Sequence, residues 1–299
     1  MNPLCIYHAN CTDGFGAAWA VYRFFKRGGI PVDLLPASYG DAPPDVTDRE
    51  VYIVDFSYKR DVLLAMGLKA QKITIIDHHK TSKEDLDGIE EHNPRIRAVF
   101  DMAHSGAVLT WSTLFHIQTC PQLLRYIEDR DLWKFKLANT RPVLSALNSY
   151  EQQVEIWDML ITKNISDLVV EGEAIERMYQ KDLRSLMHLK MMGRIDGHLV
   201  PVANVPGKFA SDIGNMILNA TDDCPFSATY YDTPEGRKFS LRSTDDDMDV
   251  EPIAKKFGGG GHRNAAGFFI SNATMDYREI EMLSGAFLIN SPLPLDTET

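Results

Sequence analysis

Residues 72–79 read KITIIDHH, and this stretch gives the first indication of the fold. Its apolar part is short and rich in β-branched residues, which is typical of a strand buried on both faces of a parallel sheet. A similar run, VYIVDF, occupies residues 51–56, and a helical stretch over residues 59–70 lies between the two. Because parallel neighbours need a crossover connection, this order predicts a parallel sheet covered by helices.

The same alternation extends over the first half of the chain. Its other strand-like runs are PLCIYH (3–8) and VDLLPAS (32–38), and its other helical stretches are residues 14–28, 105–116 and 122–130. We therefore expect an α/β domain over residues 1–150, with a parallel β-sheet and flanking helices.

The second half of the chain has a different pattern. Residues 151–192 contain no proline and repeat apolar residues every three to four positions, which predicts helices. We interpret residues 151–193 as a helical connector. Strand-like runs and short helices follow, with a hairpin over residues 226–243, so we expect a smaller α+β domain over residues 194–290. A Pro-rich acidic tail takes up residues 291–299.

Composition and charge limit the classes of partner. The chain has 299 residues, of which 44% are hydrophobic and 24% are charged, and its formal net charge is −11. Residues 1–150 carry 17 basic and 18 acidic side chains, whereas residues 151–299 carry 14 and 24. Long nucleic acids are held by extended basic surfaces, so this balance argues against a long nucleic acid as partner. A small phosphorylated ligand remains compatible with it.

The cysteines and the N-terminus indicate the compartment. Cys5, Cys11, Cys120 and Cys224 are scattered and form no CxxC pair. No stretch is long and apolar enough to span a bilayer, and no basic region followed by a long apolar segment opens the chain. We therefore expect a cytoplasmic protein with reduced thiols and no membrane partner.

Polar residues that can bind metals stand at the ends of three predicted strands. They are His8, with Asp13 in the turn that follows, Asp55, and the triplet Asp77, His78 and His79. Because the carboxyl ends of parallel strands meet at one edge of a sheet, we expect these side chains to converge. A further acidic cluster, with Glu128, Asp129 and Asp131, lies at a helix end in YIEDRDLW.

Carboxylates mixed with imidazoles favour Mn²⁺ or a related divalent ion over tetrahedral zinc. So many acids would repel one another, and two bound cations would neutralise them. A pair of ions about 3.5–4 Å apart is the usual device for in-line attack at phosphorus. Other interpretations remain: Asp13 alone can cap a helix, and either Asp129 or Asp131 can pair with a surface cation. The acidic run DDDMD, residues 245–249, is interpreted as helix capping.

Four motifs together resemble the DHH phosphoesterase superfamily and its C-terminal associated substrate domain. They are VDF, IDHHKTS, YIEDRDLW and FGGGGHRNAAGF, and they follow in order over nearly the whole chain. The motif NCTDG is most similar to that of the oligoribonuclease, or nano-RNase, branch. The resemblance implies a phosphodiesterase that hydrolyses short oligonucleotides or dinucleotides with 3′→5′ polarity. It also implies two Mn²⁺ ions, with Mg²⁺ or Co²⁺ as substitutes.

The resemblance further implies roles for individual residues. Asp55 would bridge the two ions, and His79 would face the substrate phosphate or the attacking water, so these are the two catalytic candidates. The implied metal ligands are His8, Asp13, Asp55, His78 and Asp129. The implied substrate-binding residues are Arg242, Ser243, Gly259, Gly260, Gly261, His262 and Arg263.

The chain departs from the family pattern in one motif. Many members have Asp-x-Asp-Gly where this chain has Cys11-Thr12-Asp13-Gly14, so one carboxylate is missing. We interpret His8 as a ligand of the first ion and Cys11 as its neighbour. The alternatives are a phosphoadenosine-phosphate phosphatase or cyclic-dinucleotide phosphodiesterase of the same fold, and a nucleotide-sensing binding module with a degenerate metal site. The exact substrate and homodimerisation stay open.

Overall fold

The computed structural model describes residues 1–272. The chain divides into two compact units, of which the first ends at Met178 and the second begins at Tyr179. This division falls inside the stretch predicted as a helical connector. The predictions for the last part of the second domain and for the tail over residues 291–299 lie outside the described residues.

The first unit contains the predicted parallel sheet. Its five strands are β1 (Leu4–His8), β2 (Asp33–Ala37), β3 (Glu50–Val54), β4 (Lys72–Asp77) and β5 (Ile96–Phe100). They pair in the order β2-β1-β3-β4-β5, and every pair is parallel. The α/β prediction is confirmed. Strand β5 was not predicted from the sequence, because Arg97 interrupts a run that is only partly buried.

Nine helices accompany this sheet within the described residues. They are α1 (Thr12–Lys26), α2 (Arg60–Lys69), α3 (Lys80–Asp85), α4 (Ile89–His92), α5 (Gly106–Phe115), α6 (Gln122–Asp131), α7 (Thr140–Leu147), α8 (Val154–Thr162) and α9 (Ile165–Leu186), the last of which crosses the unit boundary. None of the helices in the described part of the chain is long and apolar enough to cross a membrane.

Apolar cores cover both faces of the sheet. Side chains alternate along β4, so Ile76 packs on one face into the core that contains Trp19 of α1. Ile73 and Ile75 point to the other face and pack into the core that contains Leu63 of α2. Because β4 is buried from both sides, its end is held firmly. This fixes the position of the residues that directly follow it.

The second unit is an α+β fold. Its strands are β6 (Met191–Ile195), β7 (His198–Asn204), β8 (Ser227–Thr233), β9 (Gly236–Arg242), β10 (Gly260–His262) and β11 (Ala265–Ser271). Their order in the sheet is β10-β11-β9-β8-β7-β6, and all pairs are antiparallel except β7 with β8. The helices of this unit are α10 (Ala210–Asn219) and α11 (Glu251–Lys256).

The helical prediction was wrong for the stretch that forms β6. This strand pairs with β7 across a two-residue turn, Asp196-Gly197, in which both residues have positive φ (50° and 79°). Asp-Gly is the preferred sequence for such a turn, so the signal for a hairpin was present. The run of Met and Leu residues before it fitted helical spacing equally well, and the turn signal decides between the two.

Candidate metal centre

Three adjacent strands of the parallel sheet deliver the candidate ligands. His8 ends β1, Asp55 directly follows β3, and His78 directly follows β4. The strand order β1-β3-β4 makes these ends neighbours. Asp13 joins them from the first turn of α1. The convergence expected from the sequence is therefore observed for these four residues.

Asp55 lies at the middle of the cluster, and its two carboxylate oxygens face different partners. Oδ1 lies 3.0 Å from Nε2 of His78, and Oδ2 lies 3.7 Å from Nδ1 of His8. The side chain is 1% exposed. Its backbone has φ of 53°, a left-handed conformation that Asp adopts more readily than most residues, and its amide donates to the carbonyl of Ile76. This conformation turns the carboxylate back over the strand ends.

Asp13 is held by the first amides of helix α5. Its Oδ2 accepts from the amide of Gly106 at 2.6 Å, and its Oδ1 accepts from the amide of Ala107 at 3.0 Å. The same Oδ2 lies 3.7 Å from Nε2 of His78. A carboxylate at a helix N-terminus is stabilised by the amides and by the helix dipole, so its position is fixed.

Two glycines permit this packing. A Cβ atom on Gly106 would lie 2.5 Å from Cβ of Asp55 and 2.9 Å from Oδ2 of Asp13. A Cβ atom on Gly14 would lie 2.3 Å from the carbonyl oxygen of His8. Both contacts are too short for any other residue, so the sequence needs glycine at each position. Gly106 was not predicted to matter, because its signal in the sequence was only a Ser-Gly pair at the start of a helix.

The charges of the cluster call for cations. Burial raises the pKa of Asp13 well above its usual range, and the nearby carboxylates of Asp55 and Asp131 raise it further. Burial alone would lower the pKa of His78, but Asp55, Asp131 and Asp13 raise it to about 10. The cluster therefore holds protons when no other positive charge is present, and divalent ions can replace them.

The residues present fit two divalent ions. Oδ1 of Asp55 is buried against Nε2 of His78, and Oδ2 of Asp77 is buried and makes no hydrogen bond within the described residues. One ligand set, Asp13, Asp55 and His78, offers one atom each within 4.8 Å of the others, and so does a second set, His8, Cys11 and Asp55. Asp55 belongs to both sets. Two ligand atoms at right angles on one ion lie about 3.0 Å apart, as Asp55 and His78 do.

His79 is oriented by the acid that precedes the two histidines. Oδ1 of Asp77 lies 2.7 Å from Nδ1 of His79, and it also accepts from the backbone amides of His78 and His79. Burial alone would lower the pKa of His79, but the charge of Asp77 raises it. Asp77 therefore acts on His79 through its position and charge, a role that the sequence analysis did not assign to it.

The structure corrects the position predicted for the last ligand. Oδ1 of Asp129 accepts from the amide of Lys136, and its Oδ2 accepts from the amide of Leu137 and from the hydroxyl of Thr140 at 2.5 Å. This carboxylate fastens the loop after α6 and does not reach the cluster. Asp131, two residues further on and at the end of α6, places Oδ2 3.7 Å from Nε2 of His78. Sequence spacing alone could not tell these two acids apart.

Tyr39 borders the cluster and was missed from the sequence. Its ring centre lies 5.7 Å from that of His8 and 6.2 Å from that of His79. The side chain is 56% exposed, so an aromatic face adjoins the proposed ligands at the surface. It lies in the loop after β2, where no pattern distinguishes it.

The predicted substrate residues of the second unit lie around the ends of β9 and β10. Arg242 ends β9, and its guanidinium donates to Oγ of Ser211 at 2.6 Å and to the carbonyl of Leu241 at 2.7 Å. Ser243 is buried, and its amide donates to the carbonyl of Asn264. These contacts fix both residues within the unit, and their role in substrate binding stays a prediction.

The glycine run was predicted to bind substrate, and within the described residues part of it forms a strand at the edge of the sheet. Gly260, Gly261 and His262 form β10 against β11. A Cβ atom on Gly259 would lie 2.0 Å from the carbonyl oxygen of Gly267. Gly261 has φ of 144°, and a Cβ atom there would lie 2.5 Å from a backbone oxygen. Close packing of the sheet is thus sufficient reason for these glycines.

Arg263 is tied to the acidic run that precedes α11. Its Nη2 donates to the carbonyls of Asp245 and Asp247 at 3.2 and 2.8 Å. Oδ1 of Asp249 accepts from the amide of Glu251 at the start of α11. The acidic run therefore serves the local turn and helix start, as expected, and the Arg263 guanidinium is committed to it.

Comparison with known proteins places the chain among its relatives. It is 31% identical over 287 residues to the uncharacterized protein R106 of Acanthamoeba polyphaga mimivirus, an alignment that covers 89% of this chain and 67% of that protein. The fold superposes with a TM-score of 0.53 and 15% identity on the DHH domain of a member of the s1p family of ribosomal proteins, covering 90% of this chain and 83% of that one. This chain belongs to the DHH phosphoesterase superfamily.

A second relative carries a functional name. The chain is 23% identical over 221 residues to the oligoribonuclease NrnB of Bacillus subtilis (strain 168), covering 67% of this chain and 53% of that protein. This chain therefore spans about half the length of NrnB. No family model matches the chain. The cluster around Asp55 has carboxylate and imidazole donors close enough together to hold a metal ion.

Proposed function

We propose that this DHH protein is a phosphodiesterase that hydrolyses short oligonucleotides or dinucleotides, with Mn²⁺ as the activating ion and 3′→5′ polarity. The observation that carries the proposal is that Asp55 belongs both to a ligand set with Asp13 and His78 and to one with His8 and Cys11. A carboxylate shared by two divalent ions is the arrangement suited to in-line displacement at phosphorus. The resemblance of the chain to an oligoribonuclease supports the choice of substrate.

We call the position between Asp13, Asp55 and His78 the inner position, and its donor atoms support Mn²⁺ there. Asp13, Asp55 and His78 would hold this ion, with Asp131 close to them. Carboxylate and imidazole donors suit manganese, and Mg²⁺ or Co²⁺ would be its substitutes. When bound, the pair of ions generates a nucleophile at neutral pH and offsets the negative charge of the phosphate.

His79 would act on the substrate itself. Asp77 engages Nδ1 of His79, which fixes the plane of the ring and favours the protonated imidazole. A protonated histidine at this point can orient a phosphate oxygen or give a proton to the leaving oxygen. We assign His79 this role and assign Asp77 the role of positioning it.

A stack of aromatic and arginine side chains supports a nucleotide as substrate. Its members lie on either side of Asp131 in the sequence and are Arg130, Trp133, Phe135 and Arg141. The Arg130 guanidinium lies 4.2 Å from the ring centre of Trp133, and that of Arg141 lies 4.4 Å from the ring centre of Phe135. Aromatic and guanidinium planes are the surfaces on which single-stranded bases stack. We propose that a base next to the scissile phosphate packs against this stack.

A turnover panel tests the proposed function. The full-length chain is incubated with Mn²⁺ and, at equal concentrations, with dinucleotides, longer oligonucleotides, cyclic dinucleotides and 3′,5′-bisphosphate nucleotides. We expect the highest kcat/KM for dinucleotides and short oligonucleotides. Preference for the bisphosphate would identify a phosphomonoesterase, and the absence of turnover on every substrate would identify a binding module.

A further inference from the structure

We call the position between His8, Cys11 and Asp55 the outer position of the centre. It contains the thiol of Cys11, where the family commonly has a carboxylate. We propose that Sγ of Cys11 is a ligand of the ion held by His8 and Asp55, and that this position takes a thiophilic divalent ion such as Zn²⁺ or Co²⁺. The inference rests on the proposed function only in taking the centre as a site for two ions. The result is a mixed pair, with a soft ligand set on one side of Asp55 and a hard one on the other.

The geometry brings the three donors together. Sγ of Cys11, a ring nitrogen of His8 and a carboxylate oxygen of Asp55 all lie within 4.8 Å of one another. Oδ2 of Asp55 is the oxygen that faces His8, whereas Oδ1 faces His78. Three protein donors with one open position form a common tetrahedral arrangement for zinc, and a thiolate is the donor that selects such an ion.

The backbone around Cys11 is held by hydrogen bonds, and its side chain does not cap the helix that begins beside it. Cys11 is the N-cap residue of α1, where Ser, Thr, Asp or Asn would normally accept from a helix amide, and its side chain makes no such bond. Its carbonyl accepts from the amide of Phe15 at 3.0 Å and from the side-chain amide of Gln152 at 3.3 Å. The thiol therefore lies close to the cluster, at a position where Ser, Thr, Asp or Asn would cap the helix better.

Cobalt binding tests the assignment without any measurement of turnover. The metal-free chain is titrated with Co²⁺ under reducing conditions, and the near-ultraviolet absorption is followed. A cobalt–thiolate bond gives a charge-transfer band there, which carboxylates and imidazoles do not. We expect the band in the parent chain and in the control Cys120→Ser, and its loss in Cys11→Ser. A band of full intensity in Cys11→Ser would overturn the proposal.

A second measurement needs no variant. The parent chain is treated with iodoacetamide with and without Zn²⁺, and the modification of each cysteine is followed by mass spectrometry. We expect Zn²⁺ to slow the modification of Cys11 by at least tenfold and to leave the modification rates of Cys120 and Cys224 unchanged. Equal rates at Cys11 with and without Zn²⁺ would overturn the proposal. Neither test depends on turnover, so failure of the proposed function in the substrate panel is separately recognised.

Discussion

Oδ1 of Asp77 lies 2.7 Å from Nδ1 of His79, and the same oxygen accepts from the His79 backbone amide. This double contact fixes both the backbone and the ring of the second histidine of the motif. With Nδ1 engaged, Nε2 is the ring nitrogen through which we expect His79 to act on the phosphate. Asp77, the acid of the DHH motif, is thus a positioning residue, whereas His78, the first histidine, faces the other proposed metal ligands.

The first prediction tests this positioning role. Asp77→Asn keeps the size of the side chain but removes the charge that favours the protonated ring. We expect kcat to fall by about 10–100-fold while KM and the content of bound metal stay close to those of the parent. The exposed acid Asp61 offers a matched control, Asp61→Asn, which should leave kcat unchanged. An unchanged kcat in Asp77→Asn would show that His79 does not depend on Asp77.

The second prediction concerns the shared ligand. Asp55→Asn removes the negative charge that both ligand sets use, so we expect loss of more than tenfold in Mn²⁺-dependent turnover, or more than about 1.4 kcal/mol in the barrier. The metal content should fall by more than one ion per chain. Thermal unfolding should remain cooperative, because the strands on either side of the site are held by apolar cores. Turnover within tenfold of the parent would exclude the shared role.

The third prediction separates the two acids of helix α6. Asp131→Asn should lower metal binding and turnover with little change in the free energy of unfolding. Asp129→Asn should leave the metal ligands in place but cost about 1–3 kcal/mol of stability, since its amide group would face the amide of Lys136 or Leu137. Denaturant unfolding and metal analysis of both variants check this. The opposite outcome would return Asp129 to the ligand set.

The pH dependence of stability provides an independent check on Asp129. Although burial raises the pKa of Asp129, hydrogen bonds from Thr140, Lys136 and Leu137 hold it below its usual range. A carboxylate with a lowered pKa contributes stability above the ordinary Asp pKa, and this contribution is lost as the pH falls through the folded value. We therefore expect a smaller loss of stability on acidification below about pH 4 in Asp129→Asn than in the parent.

The fourth prediction concerns the aromatic and arginine stack. Trp133→Ala should raise KM for a dinucleotide by roughly tenfold or more, because stacking contributes about 1–3 kcal/mol per base. Trp133→Phe should retain most of the affinity, because it keeps an aromatic face. A dinucleotide that lacks the base beside the scissile phosphate should show no difference between the parent and Trp133→Ala. Equal KM values for the complete dinucleotide would remove the stack from the substrate site.

The sequence was sufficient for those features that short-range patterns determine. The short apolar runs that form β1, β3 and β4 are typical of strands buried on both faces. They predict a parallel sheet with His8, Asp55 and His78 at one edge. It was insufficient where tertiary contacts decide. Asp129 and Asp131 lie on the same short helix, and only the loop amides that bind the first acid show which one reaches the cluster.

Close backbone approach was also invisible in the sequence. Gly106 lies under Asp13 and Asp55, and its importance appears only when a Cβ atom is placed there. Gly259 and Gly261 belong to a run that was predicted to bind substrate. In the structure, a Cβ atom at either position would collide with backbone oxygens of β11. Glycine marks a close approach in both places, and only the structure identifies what approaches.

The most direct test of the central claim is the initial rate of Mn²⁺-dependent hydrolysis as a function of substrate length. Oligonucleotides from two to about twenty residues are compared at two salt concentrations. We expect kcat/KM to be highest for the dinucleotide and to fall steeply with length, with a shallow dependence on salt, because few phosphates are neutralised. Equal or faster hydrolysis of the longest strand, with a steep dependence on salt, would contradict it.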